Sequence, residues 1–422
     1  MSNELIVLIV LILTFVAGVF VLKLPSGVAL SLSAVFGGLA GGVGIPIRHL
    51  VEGGIAFLDP ILIVYTAMVF MKVVNATGAL ASINYSLIKR MHKYPTLLII
   101  LIVFFIMFPG MLTGISSTCI LTTGALVAPA LLAMGMPVPA VGALLAMSAV
   151  FGMIAPPINL PVMIIGGGVD MPYEGFTIPL ILATFPAAII TALYFRIRYL
   201  RKYDVKVVLE KLPPSVLPKH GFKLFIPIIF VIGMMIATRI LAKLIPDIGI
   251  PLIFLIGTVI GFGTGEKFKI DEMLRGALKD SLPILSILVG VGMFVQIMTL
   301  TGVRGFIATS LLDLPQNTLY PAIAVIMPAF GSAFTAASIF GVPLVYALGL
   351  GTNVYVVTSA LTLIAGVGDL MPPPLLLPVF ASQIVGEKNN FMILKYCIIP
   401  IIITLVIGVL MLMFAREIGS IL

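Results

Sequence analysis

A run of apolar residues long enough to cross a membrane cannot carry a proline pair at its centre and remain one helix. The stretch Phe151-Gly-Met-Ile-Ala-Pro-Pro-Ile-Asn-Leu-Pro161 carries such a pair. Pro156 and Pro157 remove two backbone donors and collide with the preceding turn, so a helix entering here stops and restarts. The stop frees amides and carbonyls that hydrocarbon cannot solvate. Irregular backbone at that depth persists only inside protein or beside a polar cavity. Gly366-Val-Gly-Asp-Leu-Met-Pro-Pro-Pro-Leu375 repeats the device near the far end of the chain. Two interrupted segments at matching positions in two halves point to the binding site of a secondary transporter.

Composition agrees with a membrane setting. Apolar residues make up 61% of the chain and charged residues 9%, whereas a soluble globule carries roughly a quarter charged residues. Several apolar runs reach about 20 residues, enough for a helical crossing, and no strand-like alternation is present, so the fold class is an all-α integral membrane protein. Leu5 to Leu22 is preceded by Glu4, lacks a basic n-region and a small-residue cleavage site, and reads as a retained helix. The net charge of +8 sits in loops between apolar runs, a pattern of membrane orientation and not of a nucleic-acid surface. Cys119 and Cys397 lie in apolar surroundings and read as small buried hydrophobes.

Taken in order, residues 1–199 form a first repeat: three helices, a hairpin over 96–134, a broken helix over 138–167 and a crossing over 176–199. Leu80 to Met91 reads as an amphipathic surface helix between the third helix and the hairpin. The hairpin is expected to be re-entrant, since its apolar arms fall short of the roughly 20 residues needed to span. A basic linker over 200–223 separates the halves, and residues 224–422 repeat the order with a hairpin at about 319–349 and a broken helix over 353–385. Asp59 and Asp280 are expected to cap equivalent helix starts. The total is about 11 crossings. An odd number per repeat inverts the second copy relative to the first. With the linker in the cytoplasm, all but five of the 24 Lys and Arg fall inside or nearest to it, the exceptions being Arg48, Arg239, Lys243, Arg304 and Arg416. This has the sign of the positive-inside rule and leaves the C-terminus external.

Two hairpin tips and two helix breaks supply carbonyls, amides and small hydroxyls. Such oxygens suit Na⁺, and half-helix N-termini attract an anionic group. The candidate substrate- and ion-binding residues are Gly114, Ser116, Ser117, Thr118, Pro156, Pro157 and Asn159 in the first half. In the second they are Gly331, Ser332, Thr335, Asp369, Pro372 and Pro373. For each hydroxyl the alternative is a bond to a carbonyl one turn back. Asp369 is an ionisable residue inside a spanning segment, hence a candidate cation ligand or proton carrier; its alternative is a cap on the restarting half-helix. Gly366-Val-Gly-Asp369 also matches the GxGD signature of intramembrane aspartyl proteases, whose chemistry needs two carboxylates. The only Tyr-Asp pair, Tyr203-Asp204, lies in the linker, and no Pro-Ala-Leu follows, so a protease is the remote alternative. No other catalytic motif appears.

Thr113-Gly-Ile-Ser-Ser-Thr118, Pro129, Gly135 and Ser148-Ala-Val-Phe-Gly-Met-Ile-Ala-Pro-Pro-Ile-Asn-Leu-Pro-Val-Met-Ile-Ile-Gly166 resemble the large membrane subunit of tripartite ATP-independent periplasmic (TRAP) transporters. The resemblance implies an elevator-type transport domain on a scaffold, in a bacterial or archaeal inner membrane. It also implies Na⁺-driven uptake of an organic acid, a periplasmic solute-binding protein and a small four-helix membrane subunit, with no other cofactor. Asn159 stands where the family usually has Ser, and Asp369 is additional to the family pattern. Na⁺ and H⁺ both stay open as coupling ion, and a stand-alone di- or tricarboxylate transporter of the wider superfamily is the runner-up.

Overall fold

The computed structural model describes residues 2–201, 203–240, 246, 248–312, 315–349, 351–372 and 375–422. Among these every regular element is helical. The chain starts with α1 (Asn3–Val16), α2 (Ser26–Ala40) and α3 (Ile47–Ile55). The last is supported by an Arg48–Glu52 pair at 2.7 Å, one turn apart. Next come α4 (Leu58–Ala76), α5 (Ala79–Met91) and the first hairpin, α6 (Pro95–Thr113), α7 (Ser116–Cys119), a π-helical turn (Ile120–Gly124) and α8 (Ala125–Ala133). A broken helix, α9 (Val138–Ile154) and α10 (Leu160–Gly168), leads to α11 (Thr177–Tyr199). The linker holds the short α12 (Val205–Glu210) and α13 (Leu217–His220).

The second half opens with α14 (Ile226–Ile240), α15 (Ile250–Gly261), α16 (Ile270–Leu300) and α17 (Val303–Leu312). Its hairpin comprises α18 (Gln316–Ala329), α19 (Ala333–Ala336), a π-helical turn (Ala337–Gly341) and α20 (Val342–Leu348). A second broken helix, α21 (Val354–Gly366) with a 3₁₀ turn at Val367–Leu370 and then α22 (Leu376–Val385), precedes α23 (Asn390–Met413) and α24 (Ala415–Ile421). Eight of the described helices are long and apolar enough to cross a membrane. The order of elements from α4 to α11 recurs from α16 to α23. Left-handed glycines mark the same joints: Gly78 (φ +82) and Gly302 (φ +74) before the short helix, Gly114 (φ +68) and Gly331 (φ +66) at the hairpin tips. Each π-helical turn starts at the same distance from its tip glycine, at 120 from 114 and at 337 from 331.

Two expectations from sequence need correction. The hairpin's arms are not short: α6 continues through Pro109 and Gly110 to Thr113, and the turn is confined to Gly114 and Ile115. The arms, at 19 and 18 residues, are each long enough to cross, so the hairpin is defined by its turn and not by short arms. Nor does Asp280 open a helix. α16 starts at Ile270 and runs through Pro283, because its first turns are a polar amphipathic extension bearing an Asp271–Arg275 pair at 2.9 Å. Asp59 lies in the first turn of α4, whose N-cap position, Phe57, makes no side-chain capping bond.

Packing divides the helices into two groups. One is built on α16, which lies against α2, α3 and α4, with α1 on α2, α15 on α4 and α14 on α15. Gly27 meets the backbone of Ser286 and Gly53 meets Gly292 so closely that a Cβ at either glycine would overlap α16, the small-residue contact expected between membrane helices. The other group joins both hairpins and both broken helices through α6, α9, α11, α21, α22 and α23. Gly110 and Gly152 bring α6 against α9, with Cys119 filling the contact. Cys119 and Cys397 are free and buried. The short helices α5 and α17 bridge the groups and are pinned to the second. Asn84 Nδ2 donates to Leu126 O at 2.8 Å; the Arg304 guanidinium donates to the Gly168 carbonyl and, at 3.0 Å, to the Tyr346 hydroxyl. The linker is tied back by Glu266, whose carboxylate accepts from Lys219 at 2.8 Å and pairs with His220 at 3.0 Å. The Lys219 bond, with that of His220, holds the Glu266 carboxyl below the usual range.

Candidate functional site

At the first tip Gly114 takes the left-handed conformation and Ile115 is extended, so the chain reverses in two residues and Ser116 opens α7. At the second tip Gly331 does the same, Ser332 is extended and Ala333 opens α19. In the second break the 3₁₀ turn at Val367–Leu370 carries Asp369, which is 1% exposed. Its Oδ2 accepts from Ser116 Oγ at 2.6 Å and its Oδ1 from the Ala333 amide at 2.9 Å. One carboxylate thus receives a donor at the start of each hairpin's returning arm, and charge-assisted bonds of this kind are the strong ones. Gly368 permits the approach, since a Cβ there would press within 3.2 Å of the Ser332 amide nitrogen. Asp369 does cap a helix, but it is the hairpin's α19 and not its own restarting half.

The first break is closed mostly from within its own segment. Asn159 Oδ1 accepts from the Val162 amide at 2.9 Å, capping α10, while its Nδ2 donates to the Ile154 carbonyl at 2.8 Å across the gap. Tyr173 supplies the remaining partners: its hydroxyl accepts from the Asn159 amide at 2.7 Å and donates to the Pro157 carbonyl at 3.0 Å. The Ile158 amide reaches the Met111 carbonyl at 3.1 Å. The groups that the prolines set free are met by Asn159, Tyr173 and the neighbouring hairpin, and Asn159 Nδ2 also reaches the Thr362 hydroxyl on α21 at 3.4 Å.

A cavity of about 590 Å³ lies between the two helix groups. One wall comes from the tips and the second break and includes Ser117, Thr118, Gly331, Ser332, Thr335 and Asp369. The facing wall belongs to α1, α4 and α16, with Phe15, Met68, Lys72, Asn75, Lys279 and Asp280 among its residues. Lys72 Nζ lies 2.5 Å from Asp280 Oδ2. Thr335 is fully buried, and its hydroxyl has no hydrogen-bond partner among the described residues.

Of the residues singled out by sequence, the six on the tip wall are brought together at this cavity. Ser116 lies behind them on Asp369. Gly114, Pro156, Pro157 and Asn159 are placed away from the cavity wall, at the turn and the first break; the Pro156–Pro157 peptide is cis. Pro372 is exposed just past the 3₁₀ turn, and Pro373 lies outside the described residues. Sequence reasoning missed Lys72 and Tyr173 and treated Asp280 as a cap. The signal for Lys72 was present: it is a lone lysine deep in the apolar run of α4, where a charge is costly and is retained for a purpose.

Comparison with known proteins accords with this architecture. The structure of MtrF from Neisseria gonorrhoeae, described as illuminating a class of antimetabolite efflux pumps, has a similar fold with a TM-score of 0.60 at 14% identity, covering 88% of this chain and 84% of that one. The YdaH transporter of Alcanivorax borkumensis, reported to have an unusual topology, gives a TM-score of 0.59 at 19% identity, covering 89% and 88%. At these identities the likeness is one of fold. Among curated proteins none matches the sequence. Residues 5–418 match the family described as the tripartite ATP-independent periplasmic transporter, DctM component. The chain is a multi-pass membrane transporter component and not an enzyme, and it belongs to the DctM family of tripartite ATP-independent periplasmic transporters.

Proposed function

We propose that this chain is the permease of a system that imports a small carboxylate-bearing solute together with Na⁺, across an inner membrane. The observation that carries the reading is the Asp369 carboxylate, buried at a helix break, bonded to both hairpin tips and lining the cavity between two helix groups. The hairpin group would move as a body against the group built on α16, carrying ion and solute in the manner of an elevator. The arms α5 and α17, pinned to the hairpins by Asn84 and Arg304, would transmit or limit that movement. Oxygen donors suit Na⁺ as cargo, and the unpartnered Thr335 hydroxyl beside Asp369 supports an ion or solute there. The repeated order of elements fits two inverted repeats, with the basic linker in the cytoplasm and the C-terminus outside. Family membership supports a solute-binding protein and a small four-helix membrane subunit as partners.

A second reading, coupling to H⁺, is favoured by the same carboxylate, since an acid that contacts both tips can carry a proton between states. Uptake in proteoliposomes under an imposed Na⁺ gradient or an imposed pH gradient separates the two. The expected result is Na⁺-dependent uptake that requires the binding protein. Uptake with no partner would refute the tripartite reading, and no uptake under either gradient, with partners present, would refute the transporter reading for this chain.

A further inference from the structure

The two walls of the cavity differ in charge: both lysines among its lining residues, Lys72 and Lys279, lie on the α4 and α16 side and none on the tip side. The Ser116 hydroxyl and the Ala333 amide both donate to Asp369, so neither is free to receive a solute carboxylate, and the tip wall carries no cationic side chain. The facing wall offers what the tips do not. Lys72 on α4 and Lys279 on α16 line it in largely apolar company that includes Phe15, Met68 and Met71. Lys72 is paired with Asp280, yet the side chains are 30% and 39% exposed, so the pair faces the cavity. Lys279 has no ion-pair partner among the described residues.

We propose that Lys72 and Lys279 receive the carboxylate of the solute, and that Asp280 is a resident counter-ion which the solute displaces from Lys72. The inference rests on the transporter reading and names the residues that read the solute's charge. A carboxylate can replace Asp280 on Lys72 group for group, since both present the same two oxygens to the ammonium. A neutral solute cannot, because opening the pair would leave a partly desolvated charge alone. The site therefore selects anions from the scaffold side, while the buried Thr335 hydroxyl on the opposite wall is left to bond the rest of the solute.

The test is thermal unfolding of the detergent-purified full chain titrated with acetate, lactate or succinate, with glycerol as the uncharged control. At least one carboxylate, and not glycerol, stabilises the native chain. In Asp280→Asn, which removes the competing anion, the half-saturating concentration falls roughly threefold; in Lys72→Met it rises about tenfold or more. Lys279→Met shifts it in the same direction as Lys72→Met by a smaller factor, and Lys72→Arg retains binding. A pair with only a structural role gives the opposite pattern, weakening both partners' variants alike. Equal shifts in Asp280→Asn and Lys72→Met overturn the proposal, as does a native chain that no carboxylate stabilises. If Lys72→Met does not fold, the sign of the Asp280→Asn shift decides alone. Uptake that persists while these shifts fail refutes the lysine assignment and leaves the transporter reading standing.

Discussion

The two helix breaks begin from the same chemistry and reach different ends. Both are proline interruptions inside apolar runs, and both free backbone groups that must find partners. In the first, Asn159 caps its own restarting helix and Tyr173 closes the gap. In the second, Asp369 turns away from its own chain and bonds the tips of both hairpins. An amide carries donor and acceptor together and can complete a gap by itself. The Asp369 carboxyl has no amide donor of its own to close the gap and takes its donors from elsewhere, which makes it a junction. The first break is bonded mainly within its own segment, while the second ties both hairpins together.

This contrast can be broken at several points. The largest expected effect is at Asp369: Asp369→Asn should lower uptake about a hundredfold or more at equal folded protein, measured as initial rates in proteoliposomes. Near-native uptake by that variant would place the junction outside the transport cycle. At the first break, Asn159→Ala should instead cost stability, about 1–3 kcal/mol from the lost cap and the orphaned Ile154 carbonyl, read from unfolding in detergent. Uptake per folded molecule should stay near native, and its abolition at unchanged stability would erase the distinction between the breaks. Tyr173→Phe should act in the same direction with about 1 kcal/mol.

The smallest effect is expected outside both breaks, at the linker tie. The Glu266 carboxyl is held below its usual range by Lys219 and His220. Its contribution is thus fully present above the ordinary glutamate pKa of about 4.3 and is lost as pH falls through the lower folded value. Glu266→Gln should abolish that acid-side loss of linker protection, followed by hydrogen exchange of residues 217–225, and leave uptake at neutral pH unchanged.

The fold was legible in sequence where the signal is local. Apolar runs, the proline pairs and the glycines at 78, 114, 302 and 331 announce helices, breaks and turns, because hydrogen-bond loss and left-handed backbone follow from residue type. Helix starts were less legible. Asp280 looked like a cap because Asp followed by Pro283 commonly marks a start, yet α16 extends three turns upstream on polar residues that a hydropathy reading assigns to a loop. The site was partly legible: Ser117, Thr118, Gly331, Ser332, Thr335 and Asp369 do share one cavity. Lys72 carried a signal, a lysine within an apolar run, but its pairing with Asp280, more than two hundred residues away, was not legible.

Sequence by itself determined that this polypeptide lives in a bilayer, that it is helical and where its rods must part, because each of these rests on the cost of burying backbone and charge in hydrocarbon; the family it joins follows from its motifs. Only the tertiary structure decided which interruption serves itself and which serves the hairpins, and that Lys72 and Asp280 face the tips across a cavity. Those outcomes depend on which distant donor is within about 3 Å of which acceptor, a distance that no local pattern encodes.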